Sequence, residues 1–273
     1  MRNRLINPIV KEHIRSHILF PLLQSDYQAA LQDMVEVLDQ LYANIPDRKR
    51  VSFGVVFTIK VLAELMVVQL CEAQADIFKI ASHLFKDSKD HRYTGVALGI
   101  LASYPIGNNF AQVLPFFELS AASNDWEVRE YTQMFFRRLI KQYPGEAKVA
   151  LLKLVHSEDA NIRRFVSETL RPVQENRWFY RQPEYSLEIL RHLFREKATY
   201  PRTSVGNNLS DLARRLPDLV YHLVEELVNS GDENSYWIAY RACRNLVKVD
   251  PTKVMALLRV KQYNYKDRNY QLE

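Results

Sequence analysis

Asn161-Ile162-Arg163-Arg164-Phe165-Val166-Ser167-Glu168-Thr169-Leu170 and Tyr200-Pro201-Arg202-Thr203-Ser204-Val205-Gly206-Asn207-Asn208-Leu209 carry one pattern twice. In each, an arginine opens a stretch whose apolar or small residues follow three, four and seven positions on, the spacing of one helix face. The mark recurs at Arg92, Arg129, Arg163, Arg202 and, with tyrosine standing in, at Tyr240. The steps are about 34 to 39 residues, the period of stacked helical pairs. The expected fold is all-α, an α-α superhelix forming a curved solenoid. The arginines pose the question of whether one face of it holds phosphate.

Composition agrees with helix. The 273-residue chain is 47% apolar, which suffices for a large core, and has only 7 glycines. No apolar run reaches the ~20 residues of a bilayer span; Val51 to Cys71 comes nearest and is interrupted by Lys60 and Glu64. Met1-Arg2-Asn3-Arg4 does not open a signal peptide. Cys71 and Cys243 have no metal spacing and read as two buried thiols in a reducing cytosol. Of the net charge of +5, residues 1–160 contribute nothing (18 basic, 18 acidic), and residues 161–273 contribute all of it (19 basic, 14 acidic). That bias suits phosphate contact on one face.

Along the chain, Asn7 to Tyr42 reads as two helices broken near Pro21, and Val51 to Cys71 as one long apolar helix. Asp76 to Leu84 and His91 to Tyr104 follow, separated by a charged loop at 86–90. Pro105-Ile106-Gly107 ends the latter, and Asn108 to Ala121 starts the next pair. Ser123-Asn124-Asp125 caps a helix from Trp126 to Gln142; Ser157 and Asp159 cap one from Asn161 to Leu170. After Arg171-Pro172 the chain is irregular to Pro183. Helices are then expected over Tyr185–Glu196, Pro201–Leu216, Asp218–Ser230, Ser235–Val249 and Pro251–Val260. The organisation is one repeat domain over 1–260, with 1–85 as capping helices and 86–260 as repeats, and a polar tail at 261–273 that frays.

No glycine-rich phosphate loop, nucleophile elbow or metal-ligand spacing is present in the sequence, and the seven histidines are scattered. The segments with an unusual density of polar residues are IRRFVSETLRP (162–172), PRTSVGNNLSDLARRLPD (201–218) and YWIAYRACRNLVKVDPTKVMALL (236–258), preceded by Asp125-Trp126-Glu127-Val128-Arg129-Glu130. These resemble the AlkC branch of the AlkD-like DNA alkylation-repair glycosylases, which are HEAT-like repeat proteins. The resemblance runs over about residues 90–260 and is specific over 125–250. It implies that the expected superhelix is a curved solenoid of HEAT-like repeats with a concave basic face that grips the DNA backbone. It implies a bacterial cytoplasmic enzyme, on the nucleoid when bound, acting as a monomer on double-stranded DNA with alkylated bases. The implied activity is excision of 3-methyladenine or 3-methylcytosine without flipping the base into a deep pocket.

The chemistry suits the residues. A base alkylated on a ring nitrogen is cationic and leaves readily. A carboxylate can stabilise the oxocarbenium-like sugar and orient or deprotonate water, and a tryptophan face attracts the cation. Neither a metal nor an organic cofactor is needed. The resemblance implies Glu130 and Asp211 as catalytic carboxylates, with Glu127 as fallback. Read alone, Glu130 could instead stabilise a helix first turn, whereas Asp211 sits mid-helix, where Asp is a poor helix former. Trp126, Trp178 and Trp237 are the candidates for the aromatic wall; Trp126 and Trp237 are expected to begin helices. Arg163, Arg164, Arg171, Arg202, Arg241, Arg244 and Asn208 are the expected DNA contacts, unless half of the arginines pair with acids inside the stack. Of Asn207 and Asn208, one is expected to bond backbone within the stack.

An outer helix is expected between neighbouring inner helices, which sets Glu130 and Asp211 roughly 20 Å apart in a straight stack. Unless the superhelix is tightly curved, one carboxylate does chemistry and the other supports a basic neighbour. Three departures from the family pattern stand out. Thr203 replaces an arginine, Trp178 falls late after Arg171-Pro172, and the sequence after residue 260 is too short for the immunoglobulin-like domain of some AlkC relatives. Two other readings remain: a non-catalytic relative that binds damaged or branched DNA, and a protein-binding solenoid scaffold.

Overall fold

The computed structural model describes residues 8–86, 90–104 and 110–264. The expectations for the loop tip at 87–89, for Pro105-Ile106-Gly107 and Asn108, and for the tail beyond 264 lie outside these. The described residues hold helices and turns and no strand. In order the helices are α1 (Pro8–His13), α2 (Phe20–Leu23), α3 (Tyr27–Ala43), α4 (Asp47–Glu72), α5 (Ile77–Lys86), α6 (His91–Ser103) and α7 (Phe110–Ala121). Then follow α8 (Trp126–Gln142), α9 (Pro144–Leu154), α10 (Ala160–Thr169), α11 (Pro183–Leu190), α12 (Thr199–Leu212), α13 (Pro217–Asn229), α14 (Glu233–Ala242) and α15 (Pro251–Leu258). They divide into two compact units, Met1–Phe135 and Phe136–Glu273, with the division inside α8.

In the first unit the expected break near Pro21 is present, but it does not fall on the proline. A π-helical turn, Ile14–Leu19, joins α1 to α2, and Pro21 sits in the first turn of α2, where no N–H donor is required. The chain breaks instead at Ser25, which is left-handed (φ 63°), and Asp26 caps α3 by accepting from the Ala29 N–H at 3.1 Å. The long apolar helix exists but is kinked at Gly54, whose φ of 29° and ψ of −162° interrupt α4. From Gly54 to Glu72 it is 19 residues with mean hydropathy 1.9, which by length and composition would span a membrane. The charges at Lys60 and Glu64 are too few to prevent that. Its face of Ile59, Leu62, Ala63, Met66 and Leu70 is nevertheless buried, and α4 packs along α6.

In the second unit the repeat helices begin as read, but several end early in 3-10 turns. Arg191–Leu193 follows α11 and Leu246–Lys248 follows α14. The segment after Arg171-Pro172 is a 3-10 helix, Gln174–Tyr180. α10 packs directly on α12, and α12 directly on α14. The expected outer helix between neighbouring inner helices is therefore wrong for these repeats, and side chains reach from one inner helix to the next. Cys243 is buried, with its thiol pushed up to about 12 by desolvation, whereas Cys71 is exposed rather than buried.

Two helical glycines test how closely the chain packs. A Cβ on Gly99 would lie 2.6 Å from the Ala63 Cβ and 2.8 Å from the Phe135 Cζ. Gly145 has nothing within 4 Å. Gly99→Ala is predicted to lower stability by about 1–2 kcal/mol, overpacking outweighing the helix-propensity gain. Gly145→Ala is predicted to be neutral or stabilising by up to about 1 kcal/mol. Urea unfolding of both variants checks this.

Candidate functional site

The recurring arginine has a structural explanation. Before α8, the Ser123 Oγ accepts from the Asp125 N–H (3.1 Å) and the Asp125 carboxylate accepts from the Glu127 N–H (2.9 Å). Arg129 then folds back, donating from Nη1 to the carbonyls of Ser123 (2.6 Å) and Asn124 (3.0 Å). Before α10 the same set returns: Ser157 caps Asp159, Asp159 caps Asn161, and Arg163 donates to the carbonyls of Ser157 and Glu158 at 2.8 and 2.9 Å. At Arg129 and Arg163 the mark is thus a Ser-x-Asp-x-x-x-Arg clasp that satisfies loop carbonyls the helix leaves over. Before α14, Asp232 again caps, accepting from the Ser235 N–H, so the clasp position falls on Tyr236 and not on Tyr240.

The clasp also joins repeats. Arg163 forks onto Glu196, with Nε to Oε2 at 2.6 Å and Nη2 to Oε1 at 3.0 Å, and Glu196 caps α12 by accepting from the Ala198 N–H. Arg202 bonds the Asn234 side chain one repeat on. Arg92 bonds Asp90 and Asp39. Of the arginines expected on DNA, Arg163 therefore takes the alternative of pairing with an acid inside the stack, while Arg202 bonds an amide there. Burial works to raise the Glu196 carboxyl, but the Arg163 fork, the Ala198 N–H and the nearby Arg202 charge outweigh it and hold it below the usual range.

A second cluster gathers at the end of α10. Its last carbonyls, which a helix leaves without internal partners, are met by side chains. Asn208 Nδ2 donates to Ser167 O (3.0 Å), Arg137 Nη2 to Glu168 O (3.0 Å) and Asn176 Nδ2 to Thr169 O (2.6 Å). The buried Glu168 carboxylate accepts from Ser204 Oγ at 2.7 Å and from Arg171 Nη1 at 3.2 Å. Arg171 also grips Asp211 Oδ2, from Nε at 2.8 Å and Nη2 at 2.5 Å, and Arg214 stands 3.5 Å from Oδ1. Burial opposes the Arg171 charge, yet the carboxylates of Glu168 and Asp211 outweigh it and raise its pKa. Asp211 is 3% exposed and Asn208 is fully buried, so neither stands at the surface. Asn208 takes the backbone-bonding role, while Asn207 accepts from Arg241 Nε at 2.9 Å.

The tryptophans separate clearly. Trp126 opens α8 and is 61% exposed. Trp237 is the fifth residue of α14, not its start, and its ring lies under Arg202 (4.7 Å) and Arg241 (5.6 Å). Gly206 leaves the room that Arg241 occupies, since a Cβ there would meet the Arg241 Cβ at 2.8 Å. Trp178 is half-buried, edge-on to Phe179 (4.4 Å) and Tyr185 (5.0 Å). Arg164 stacks over Tyr200 at 4.4 Å.

Glu130 lies one turn after Trp126, on the same face of α8, half-buried and accepting from Gln133 Nε2 at 2.6 Å. It is in the second turn, so the first-turn position belongs to Glu127. A hydrogen bond with Asp125 raises the Glu127 pKa, and Asp125 is held low against its own desolvation, in part by the same bond. The opening of α8 thus carries an exposed indole among three carboxyl groups. Glu130 belongs to the first compact unit and Asp211 to the second. Among the described residues no cluster of metal-ligating side chains occurs.

With no strand among its described residues and inner helices stacked repeat on repeat, the chain has the architecture of a HEAT-like helical repeat protein. Solved structures share it. AlkD2 from Streptococcus mutans matches with a TM-score of 0.55 and 19% identity, over 76% of this chain and 98% of that one. The structure of smu.31 from Streptococcus mutans UA159 matches with a TM-score of 0.56 and 21% identity, over the same shares. Pseudomonas fluorescens alkylpurine DNA glycosylase AlkC, bound to DNA containing an abasic site analog, matches with a TM-score of 0.54 and 18% identity, over 94% of this chain and 66% of that one. No protein-family model and no curated protein matches the chain. At these identities the common property is the fold.

The clasp between Arg163 and Glu196 yields a pH prediction. Glu196 has a depressed folded pKa, so the stability it adds is present above its unfolded value, ~4.3, and is lost as pH falls through the folded value. Arg163→Met leaves that buried carboxylate with only the Ala198 N–H and the nearby Arg202 charge, costing on the order of 3 kcal/mol at neutral pH. The gap between wild type and variant, followed by urea unfolding, is predicted to narrow as pH falls through the folded Glu196 value and to keep a pH-independent remainder from the lost bonds to the Ser157 and Glu158 carbonyls.

Proposed function

We propose that this chain is a DNA repair N-glycosylase that releases cationic alkylated bases of the 3-methyladenine or 3-methylcytosine type. The observation that carries the reading is the exposed Trp126 one helical turn from Glu130, with Asp125 and Glu127 beside it. The indole face attracts a cationic base by about 0.5–2 kcal/mol. The Glu130 carboxylate stabilises positive charge developing at C1′ and accepts a proton from the water that adds there. The electrons of the C1′–N bond leave with the base, which departs neutral. This chemistry requires no cofactor. The AlkC structure of the same fold is that of an alkylpurine DNA glycosylase on DNA containing an abasic site analog, and an abasic site is what base removal leaves. On this reading the protein works in the bacterial cytoplasm on double-stranded DNA.

Asp211 serves as a positioning residue and not as the catalytic carboxylate, because Arg171 occupies one of its oxygens twice and Arg214 flanks the other. Glu130 is the catalytic residue. The engagement of Asp211 also favours a second reading, a relative that binds DNA without cutting it.

Release of free base from a duplex carrying 3-methyladenine or 3-methylcytosine tests the proposal. Wild type is expected to release base, Glu130→Gln to be slower by about 10²-fold or more, and Trp126→Ala by about tenfold. Equal rates for wild type and Glu130→Gln overturn the site. Salt-dependent DNA binding without release supports the second reading, and no salt-dependent DNA affinity supports a protein scaffold.

A further inference from the structure

The chain of the second unit turns back on itself after α15. Arg259 adopts the left-handed conformation (φ 57°), and the following residues run back against α14. There the Tyr263 ring stacks on Tyr240 at 4.6 Å. The Tyr263 hydroxyl donates to Tyr240 O (3.0 Å), and the Asn264 N–H donates to the Tyr240 hydroxyl (2.8 Å). This part of the expected fraying tail is therefore pinned, and it closes one side of a cavity of about 420 Å³. Arg214, Arg244, Lys248, Asn245 and Asn264 bring three cations and two amides to its wall, with no carboxylate among the described lining residues. Asn245 is oriented by two bonds, from Nδ2 to Ser210 O (2.8 Å) and to Ser210 Oγ (3.1 Å), which turns its Oδ1 to the Lys248 ammonium at 3.2 Å. The Arg214 side chain is 61% exposed, and its ion pair to Asp211 is long at 3.5 Å.

Cations near helix C-termini compensate the helix dipole. Compensation alone does not require three of them, from just beyond α12, just beyond α14 and the 3-10 turn that follows, to share one cavity. Nor does it require the chain to fold back and wall that cavity. Charged forks and ammonium groups around a polar hollow match the oxygens of a phosphate group.

We propose that this cavity holds a backbone phosphate of a nucleic-acid strand, with Arg214 and Lys248 as direct contacts. The inference rests on the DNA-binding part of the function proposed above and extends it to residues outside the arginine clasp. Arg214 is then shared between the phosphate and Asp211, which brings the strand within one side chain of the buried Glu168, Arg171 and Asp211 cluster.

The test is fluorescence anisotropy of a labelled duplex without modified bases, titrated with the full chain at a series of NaCl concentrations. Arg214→Gln and Lys248→Gln, both at exposed positions, are each expected to weaken binding about three- to tenfold and to flatten the salt slope by about 0.9 per lost contact. Arg191→Gln is the control, because Arg191 is exposed, paired with Glu226 and outside the cavity; its slope should match wild type. Inorganic phosphate, at ionic strength matched with chloride, should compete with DNA on wild type more than on the two cavity variants. Slopes for Arg214→Gln and Lys248→Gln equal to that of Arg191→Gln overturn the proposal. Phosphate binding to the cavity with DNA binding unchanged in the variants assigns the site to a free anion and overturns it as well. Because the duplex carries no lesion, absence of base release leaves this result intact. Absence of any salt-dependent affinity in wild type removes the DNA reading itself.

Discussion

The end of α10 sets the constraint on which the second unit depends. Three consecutive carbonyls there are satisfied by Asn208, Arg137 and Asn176 from three different segments, and directly beyond them Arg171 binds two buried carboxylates. A buried guanidinium with two carboxylates is not simply stabilising. Apolar replacements of the whole set can do as well, but removal of one member strands the others at a cost of about 3–5 kcal/mol. The arrangement therefore fixes register more than it adds stability: α12 can lie against α10 only where Asp211 meets Arg171, Ser204 meets Glu168 and Asn208 meets Ser167. The neighbouring contact repeats the device, with Asn245 donating to Ser210 O.

This divides the polar residues by task. Arg129 binds its own loop, Arg202 the next repeat, and Arg163 both. Residues near the ends of inner helices bind across to the neighbouring helix. The residues proposed for a ligand are others: the exposed Trp126 with Glu130, and the cations around the cavity behind the folded-back Tyr263. The Asp211 carboxylate is buried among arginines and the Glu130 carboxylate lies beside an exposed indole, and the proposed division between positioning and chemistry follows those surroundings.

Much of the fold was legible. The Ser-x-Asp caps and the apolar period placed α8 to the residue, and placed α10 within one residue at each end. Those signals are local: a cap and the stripe after it lie within one helix. The misreadings concern what is not local. The π-turn before Pro21 and the kink at Gly54 depend on packing within the first unit. Direct contact of α10 with α12 could not be read from period alone, since the period fixes the length of a repeat and not which of its helices touch. The arginine mark was visible as a repeat, but its reading as a possible phosphate face missed the serine six residues before it, a signal present at both Ser123 and Ser157. For the site, the family resemblance singled out Glu130, Asp211, Arg171 and Trp126 together, and nothing local in the sequence tells which of them the fold buries. Exposure of Trp126 and burial of Asp211 are properties of packing.

The central claim is that Asp211 exists to hold Arg171 in the stack. A double-mutant cycle on stability with Arg171→Met, Asp211→Asn and both together tests it most directly. The account predicts that the double variant is less destabilised than the two single losses added, by about 1–3 kcal/mol, because each single change strands the other's partner. Losses that add within about 0.5 kcal/mol would contradict it, and would return Asp211 to the residues available for chemistry.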